Sequence, residues 1–232
     1  MLGISEFLST YLGYFFEGTG ITIALSFFTV LLGSVTGTLF ALMKLSKSKV
    51  LKRIASVYIE IVRGTPLIVQ VFILYYGVAQ LIQNSGYTMP QIQVFGNDLV
   101  SFVSIVIAMT INSTAYIAEI IRGGIESIDK GQMEAARSLG LTHKMSMRFV
   151  IIPQAIKNIL PALGNEFITV IKESAIVSVV GIRELMFSAS VVQGTTYKIF
   201  TPLITAAAIY FVLTFSLSKL LGVVERRMKV SD

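Results

Sequence analysis

Two apolar runs of this chain carry polar side chains at helical spacing. In the first, Asn112, Tyr116 and Glu119 follow Ser101 and Ala108 along one narrow face of residues 99–121. In the second, Gln154, Asn158, Pro161, Asn165, Thr169 and Lys172 recur every three or four residues from 153 onward, with Glu166 and Glu173 on the flank of the stripe. An Asn amide donates to a carboxylate or accepts from an ammonium, whereas an ionised Glu only accepts. This is chemistry for holding a ligand, not for breaking bonds. No H-E-x-x-H, G-x-S-x-G or G-x-x-x-x-G-K-[ST] pattern occurs, cysteine is absent, and the lone His143 lies outside the apolar runs. Hydrolase chemistry, a metal centre, a resident cofactor and self-supplied nucleotide hydrolysis all lack the residues they need. An ionised group at mid-membrane costs roughly 2.5–3.5 kcal/mol, so these side chains must face protein or water. Two readings stand for each. Asn112 and Asn165 either line a path or bridge helices, and Glu166 either meets a ligand or pairs with Lys172 or Lys157.

The elements that must position these groups follow from hydropathy. The 232 residues are 54% hydrophobic and 14% charged, with a mean hydropathy of +0.77, a balance that belongs to polytopic membrane proteins. Uninterrupted apolar runs favour helices over the alternating pattern of a barrel. The expected fold is an all-α integral membrane protein, a single domain over 1–232 with five transmembrane helices near 21–43, 54–82, 99–121, 153–171 and 200–221. In the first span Gly33 and Gly37 form a G-x-x-x-G for close helix packing. Lys44, Lys47, Lys49, Lys52 and Arg53 follow without an acid, which places that loop in the cytoplasm and the N-terminus, with Glu6 and Glu17, outside. Ile54 to Val62 forms a lead-in helix, Glu60 and Arg63 are spaced to pair, and Pro66 predicts a kink. Gln83 to Asp98, with Pro90 and no Lys or Arg, is an external loop. Pro161 is placed to open the fourth helix near its middle. Ala175 to Val192, interrupted by Gly181-Ile182-Arg183-Glu184, is expected as a partial or re-entrant helix on the outer side. Counting it as a full span would put Arg226, Arg227 and Lys229 outside. Met1 to Gly20 has no basic leader or cleavage pattern, so it does not read as a removable signal peptide. The net charge of +6 clusters beside spans, where it sets orientation rather than binding nucleic acid.

Between the third and fourth spans lies the loop 122–148, cytoplasmic by its basic residues. Gly131 opens a short helix in which Ala135, Ala136 and Leu139 share a small apolar face beside Glu134, and Gly140 stands where a left-handed terminal residue is wanted. So short a helix does not hold itself in water and needs a surface to dock on.

Glu134-Ala135-Ala136, then Gly140 and Pro153, resemble the EAA loop of ABC importer permeases, with Val150-Ile151-Ile152 a conservative departure from the usual I-x-L. Tyr116, Glu119, Arg122-Gly123-Gly124, Gly131-Gln132 and Arg63-Gly64-Thr65-Pro66-Leu67 resemble the polar amino-acid branch, the histidine/glutamine/arginine permease type, and the likeness covers nearly the whole chain. The resemblance implies a type I ABC importer fold, N-terminus out and C-terminus in, in the plasma membrane of a prokaryote. It implies that residues 131–140 are a coupling helix docking on separate ATP-binding cassette ATPase subunits. It further implies a second permease subunit, identical or paralogous, an extracellular substrate-binding protein, and a polar amino acid as cargo. Asn112, Tyr116, Asn158, Asn165, Glu166 and Thr169 would then form the substrate path within membrane lipid. Arg63, Glu119, Arg122, Pro161, Lys172 and Glu173 would serve as gate or structural residues, with Lys172-Glu173-Ser174 resembling a K-[DE]-[ST]-S stretch of the family. The alternative is a self-contained ion-coupled carrier or channel, which has no use for an exposed Ala-Ala-Leu face.

Overall fold

A computed structural model describes residues 4–86 and 91–229, apart from the side chains of residues 4–6, 8 and 229; Pro90 and the side chains of Glu6 and Lys229 lie outside the described residues. The first helix, α1 (Ile4–Leu45), begins well upstream of the expected span. It does so because Phe7 and Phe15 are buried against Leu185, Ala189, Val192 and Ala206, which holds residues before Ile21 in register with the rest of the helix. The expected second span is divided into α2 (Lys49–Arg63) and α3 (Leu67–Ser85). Pro66 has no N–H to donate and disfavours helix in the residue before it, so the chain leaves α2 at Gly64 and re-enters at Leu67.

On the outer side a short hairpin, β1 (Gln93–Val94) with β2 (Asn97–Asp98), turns through Phe95 and Gly96, both at positive φ as a two-residue turn demands. Asp98 then caps α4 (Leu99–Glu126), its Oδ2 accepting from Ser101 N at 3.0 Å. α4 is the central helix, packed on α1, α2, α3 and α7 and buried around most of its circumference. Hydrophobic drive between helices is weak in lipid, so close packing must supply the contact. Gly33 and Gly37 provide it: a Cβ on Gly37 would lie 2.7 Å from the Ile117 side chain and 3.2 Å from the Ala118 backbone nitrogen.

The cytoplasmic loop forms α5 (Lys130–Ser138) and α6 (His143–Ser146), and a π-helical turn (Met147–Ile151) leads into α7 (Ile152–Glu173). Contrary to expectation, Pro161 does not open the backbone, and α7 runs unbroken through it. The irregular segment comes later, as a 3₁₀ stretch (Ser174–Val180), Gly181 at φ 85°, and then α8 (Leu185–Thr196). α9 (Phe200–Lys229) closes the chain. Among the described residues four helices, α1, α3, α4 and α9, are long and apolar enough to cross a membrane, and α7 with α8, bent by 46° at the break, together form a broken span or a re-entrant segment.

Candidate functional site

The polar residues of α4 are largely consumed by partners within the chain. Asn112 is buried, and its Nδ2 donates to Gln70 Oε1 at 3.0 Å. Gln70 Nε2 in turn donates to Val62 O at 2.8 Å, Thr65 O at 3.1 Å and Thr65 Oγ1 at 2.8 Å. Asn112 therefore pins the break between α2 and α3. Tyr116 lies on the same face but is partly exposed, with the Arg63 guanidinium 5.4 Å over its ring. Arg63 makes this contact and no ion pair with Glu60 among the described residues, so the expected pair is not formed. At the cytoplasmic end Glu119 takes Lys44 from α1 and, at 2.6 Å, Arg122, which also reaches Glu126. Thr114 meets Thr36 of α1 at 2.5 Å.

α7 divides its stripe by depth. Gln154 Nε2 donates to Gln132 Oε1 at 3.2 Å, and Asn158 Nδ2 donates to Ser127 Oγ at 3.0 Å, so the cytoplasmic third ties α7 to the loop. Asn158 thus acts here as a helix-to-loop brace. Farther in, Asn165 is exposed and Thr169 half-buried, and neither makes a hydrogen bond among the described residues. Between them Glu166 is half-buried, and its Oε1 accepts from Ser113 Oγ at 3.1 Å. It makes no ion pair with Lys157 or Lys172 among the described residues. Glu173 sits two turns on, on the same face of α7. Lys172 is exposed, and Ser174 is fully buried with its hydroxyl on Ile171 O at 2.8 Å. Ser113 was not singled out from sequence. Its place one residue after Asn112 on an inward-facing helix is the only signal that pointed to it.

α5 is built for presentation. Asp129 Oδ1 accepts from Gly131 N at 2.7 Å, so the helix opens one residue before Gly131. The helix ends as a Schellman motif, with Leu141 N donating to Ala136 O at 3.2 Å, Gly140 N to Arg137 O at 3.0 Å, and Gly140 at φ 84°. The expected three-residue apolar face is split. Ala136 is buried against the rest of the loop, while Ala135 and Leu139 point outward, Leu139 at 84% exposure.

A buried cluster on the outer side also escaped sequence reasoning. Glu184 is fully buried and accepts from Phe187 N at 2.7 Å, Met186 N at 2.9 Å and Tyr210 Oη at 2.8 Å. Thr22 Oγ1 takes Leu185 N at 3.2 Å beside it. The carboxylate caps α8 and joins it to α1 and α9. An acidic residue directly before an apolar run is an N-cap pattern, and that reading of Glu184 would have found it.

Comparison with known proteins follows this geometry closely. Residues 29–230 match the family described as binding-protein-dependent transport system inner membrane component. The arginine transport system permease protein ArtQ of Bacillus subtilis is 40% identical over 219 residues, 94% of each chain. A Rickettsia bellii protein with the provisional name glutamine transport system permease protein GlnP is 41% identical over 215 residues, 93% of each chain. A crystal structure of an amino acid ABC transporter with histidines superposes with a TM-score of 0.84 at 51% identity, covering 95% of this chain and 96% of the other. The methionine ABC transporter MetNI in an inward-facing form shares the fold, with a TM-score of 0.67 at 18% identity. A helical bundle with a displayed, Schellman-capped loop helix and this degree of likeness have one common explanation: the chain belongs to the inner-membrane permease components of binding-protein-dependent ABC transport systems.

Proposed function

We propose that this chain forms the translocation path of an importer for a polar amino acid, with its ammonium or cationic side chain received by Glu166. The observation that carries the reading is the setting of that carboxylate. It is held within the span by the Ser113 hydroxyl, with no cationic partner among the described residues. A carboxylate so placed favours a positively charged visitor, because a lone charge at membrane depth is costly and a cation relieves it. Asn165 and Thr169 stand one position before and three after it on α7, with their polar groups uncommitted, suited to a carboxylate or side-chain amide. The relatives whose names specify arginine and glutamine transport agree with a substrate of this class.

Energy enters through α5. Ala135 and Leu139 form the contact offered to an ATPase subunit, and Glu134 and Gly131 lie on the same short helix. Gln132 and Ser127 relay its position to α7 through Gln154 and Asn158. A second permease subunit and an extracellular binding protein complete the assembly. The test is uptake into vesicles holding the permease with its ATPase subunits and binding protein, against a panel of cationic, neutral and acidic amino acids. ATP-dependent accumulation of a cationic or amide-bearing amino acid is expected. Accumulation that follows an ion gradient and ignores ATP would replace this reading with a carrier.

A further inference from the structure

A cavity of about 700 Å³ opens on the outer side, between α1, the tip of the β1–β2 hairpin and the start of α8. Its wall is chiefly apolar, with Tyr14, Phe95, Phe187 and Val191, and it holds two charged side chains of opposite sign, Glu17 and Arg183. Neither makes an ion pair among the described residues.

The two charges stand on separately anchored elements. Arg183 N donates to Asn97 Oδ1 at 2.8 Å, and the next residue is the buried Glu184 cap. Glu17 stands on α1 beside Gly18, where a Cβ would lie 2.9 Å from both Glu184 O and Leu185 Cα. The acid and the base are thus set in place on opposing elements, ready for a ligand that carries both complementary charges. Their depth is that of the membrane boundary. The long apolar run begins at Ile21, four residues after Glu17, and Tyr14 and Phe16 are exposed on the same stretch of α1, as aromatic side chains at headgroup depth are.

We propose that the cavity binds an amine-bearing phospholipid, with the phosphate on the Arg183 guanidinium, the ammonium on the Glu17 carboxylate, and the glyceryl and acyl portion along Phe187 and Val191. A guanidinium matches phosphate oxygens in a bidentate fork. The apolar wall favours this occupant over a free polar amino acid, which would match the charges and leave Tyr14, Phe95 and Phe187 uncovered. A lipid seated here bridges α1 and α8 beside their close approach at Gly18.

The experiment takes the assembled transporter, purified after equilibration with equal amounts of phosphatidylethanolamine and phosphatidylglycerol, and counts retained lipid by native mass spectrometry. The wild type is expected to retain phosphatidylethanolamine in preference. Arg183→Gln should lower that retention about tenfold, the loss of one charged contact. Glu17→Gln should abolish the preference between the two lipids, and Arg183→Lys should restore part of the retention. Size-exclusion profile and basal ATP hydrolysis report assembly; Glu17 is an exposed helical position, so its variant decides the matter if Arg183→Gln fails to assemble. Equal retention of the two lipids by the wild type would overturn the proposal. So would unchanged retention in Glu17→Gln, or displacement of the lipid by free L-glutamine, which would make the cavity an amino-acid site.

Discussion

α4 and α7 carry polar residues at the same helical period, yet the two helices use them in opposite ways. On α4, Asn112, Ser113, Thr114 and Glu119 each have a named partner on α3, α7 or α1. On α7, Gln154 and Asn158 are engaged with the loop, while Asn165 and Thr169 have no partner among the described residues. α4 sits at the centre of the bundle, where leaving a buried polar atom unsatisfied is costly, and of its buried side chains Thr110 alone has a hydroxyl without a partner among the described residues. α7 borders open space on the face that bears Asn165, so its groups remain available to a ligand. Identical spacing thus marks a structural brace in one helix and a candidate lining in the other. Ser113 and Glu166 mark the seam between the two.

The comparison extends to α5, where the largest effects are expected. Leu139→Asp places a charge at the displayed position, and Gly140→Val forces a β-branched residue to φ 84°, where the Schellman turn cannot hold. Both variants should reach the membrane and lose ATP-driven transport, with ATP hydrolysis no longer responding to substrate. Normal uptake in both would detach α5 from coupling.

Much of this was legible in the sequence, and the misses have physical causes. Gly140 was readable because it follows the last periodic residue of a short helix, where glycine takes the left-handed conformation most readily. The packing of Gly33 and Gly37 followed from small residues one turn apart, and the structure seats both on Ile117. Pro161 misled because a proline in a transmembrane helix costs one backbone hydrogen bond, and nothing in the local sequence tells whether the helix will break or carry the loss. Asn112 looked like Asn165 because periodicity reports which face a residue occupies and nothing of what stands opposite. Its partner Gln70 is 42 residues away on another helix. The N-terminal extension of α1 was hidden by Gly13, Gly18 and Gly20, which lower helix propensity, and by Glu17, which interrupts the apolar run; packing of Phe7 and Phe15 on α8 and α9 overrides both.

A smaller effect is expected at the cytoplasmic end of α4. Glu119→Gln removes a carboxylate shared by Lys44 and Arg122, both partly exposed, so the loss should be about 1 kcal/mol or less. The thermal midpoint of the purified transporter should fall slightly, and the difference from wild type should shrink as salt screens the pairs. A fall that does not respond to salt would assign Glu119 a role beyond these pairs.

The contrast between the two helices is tested most directly by measuring stability and uptake side by side in Asn112→Ala and Asn165→Ala. Removing the Asn112 amide leaves the buried Gln70 carbonyl without its donor, which should cost about 1–3 kcal/mol of stability and lower the melting temperature. Asn165→Ala breaks no hydrogen bond seen in the structure and should change stability by no more than about 0.5 kcal/mol. Its uptake should nonetheless collapse or shift in substrate preference while basal ATP hydrolysis persists. Full uptake by Asn165→Ala, or a loss of stability as large as that of Asn112→Ala, would contradict the assignment of α7 as the lining of the path.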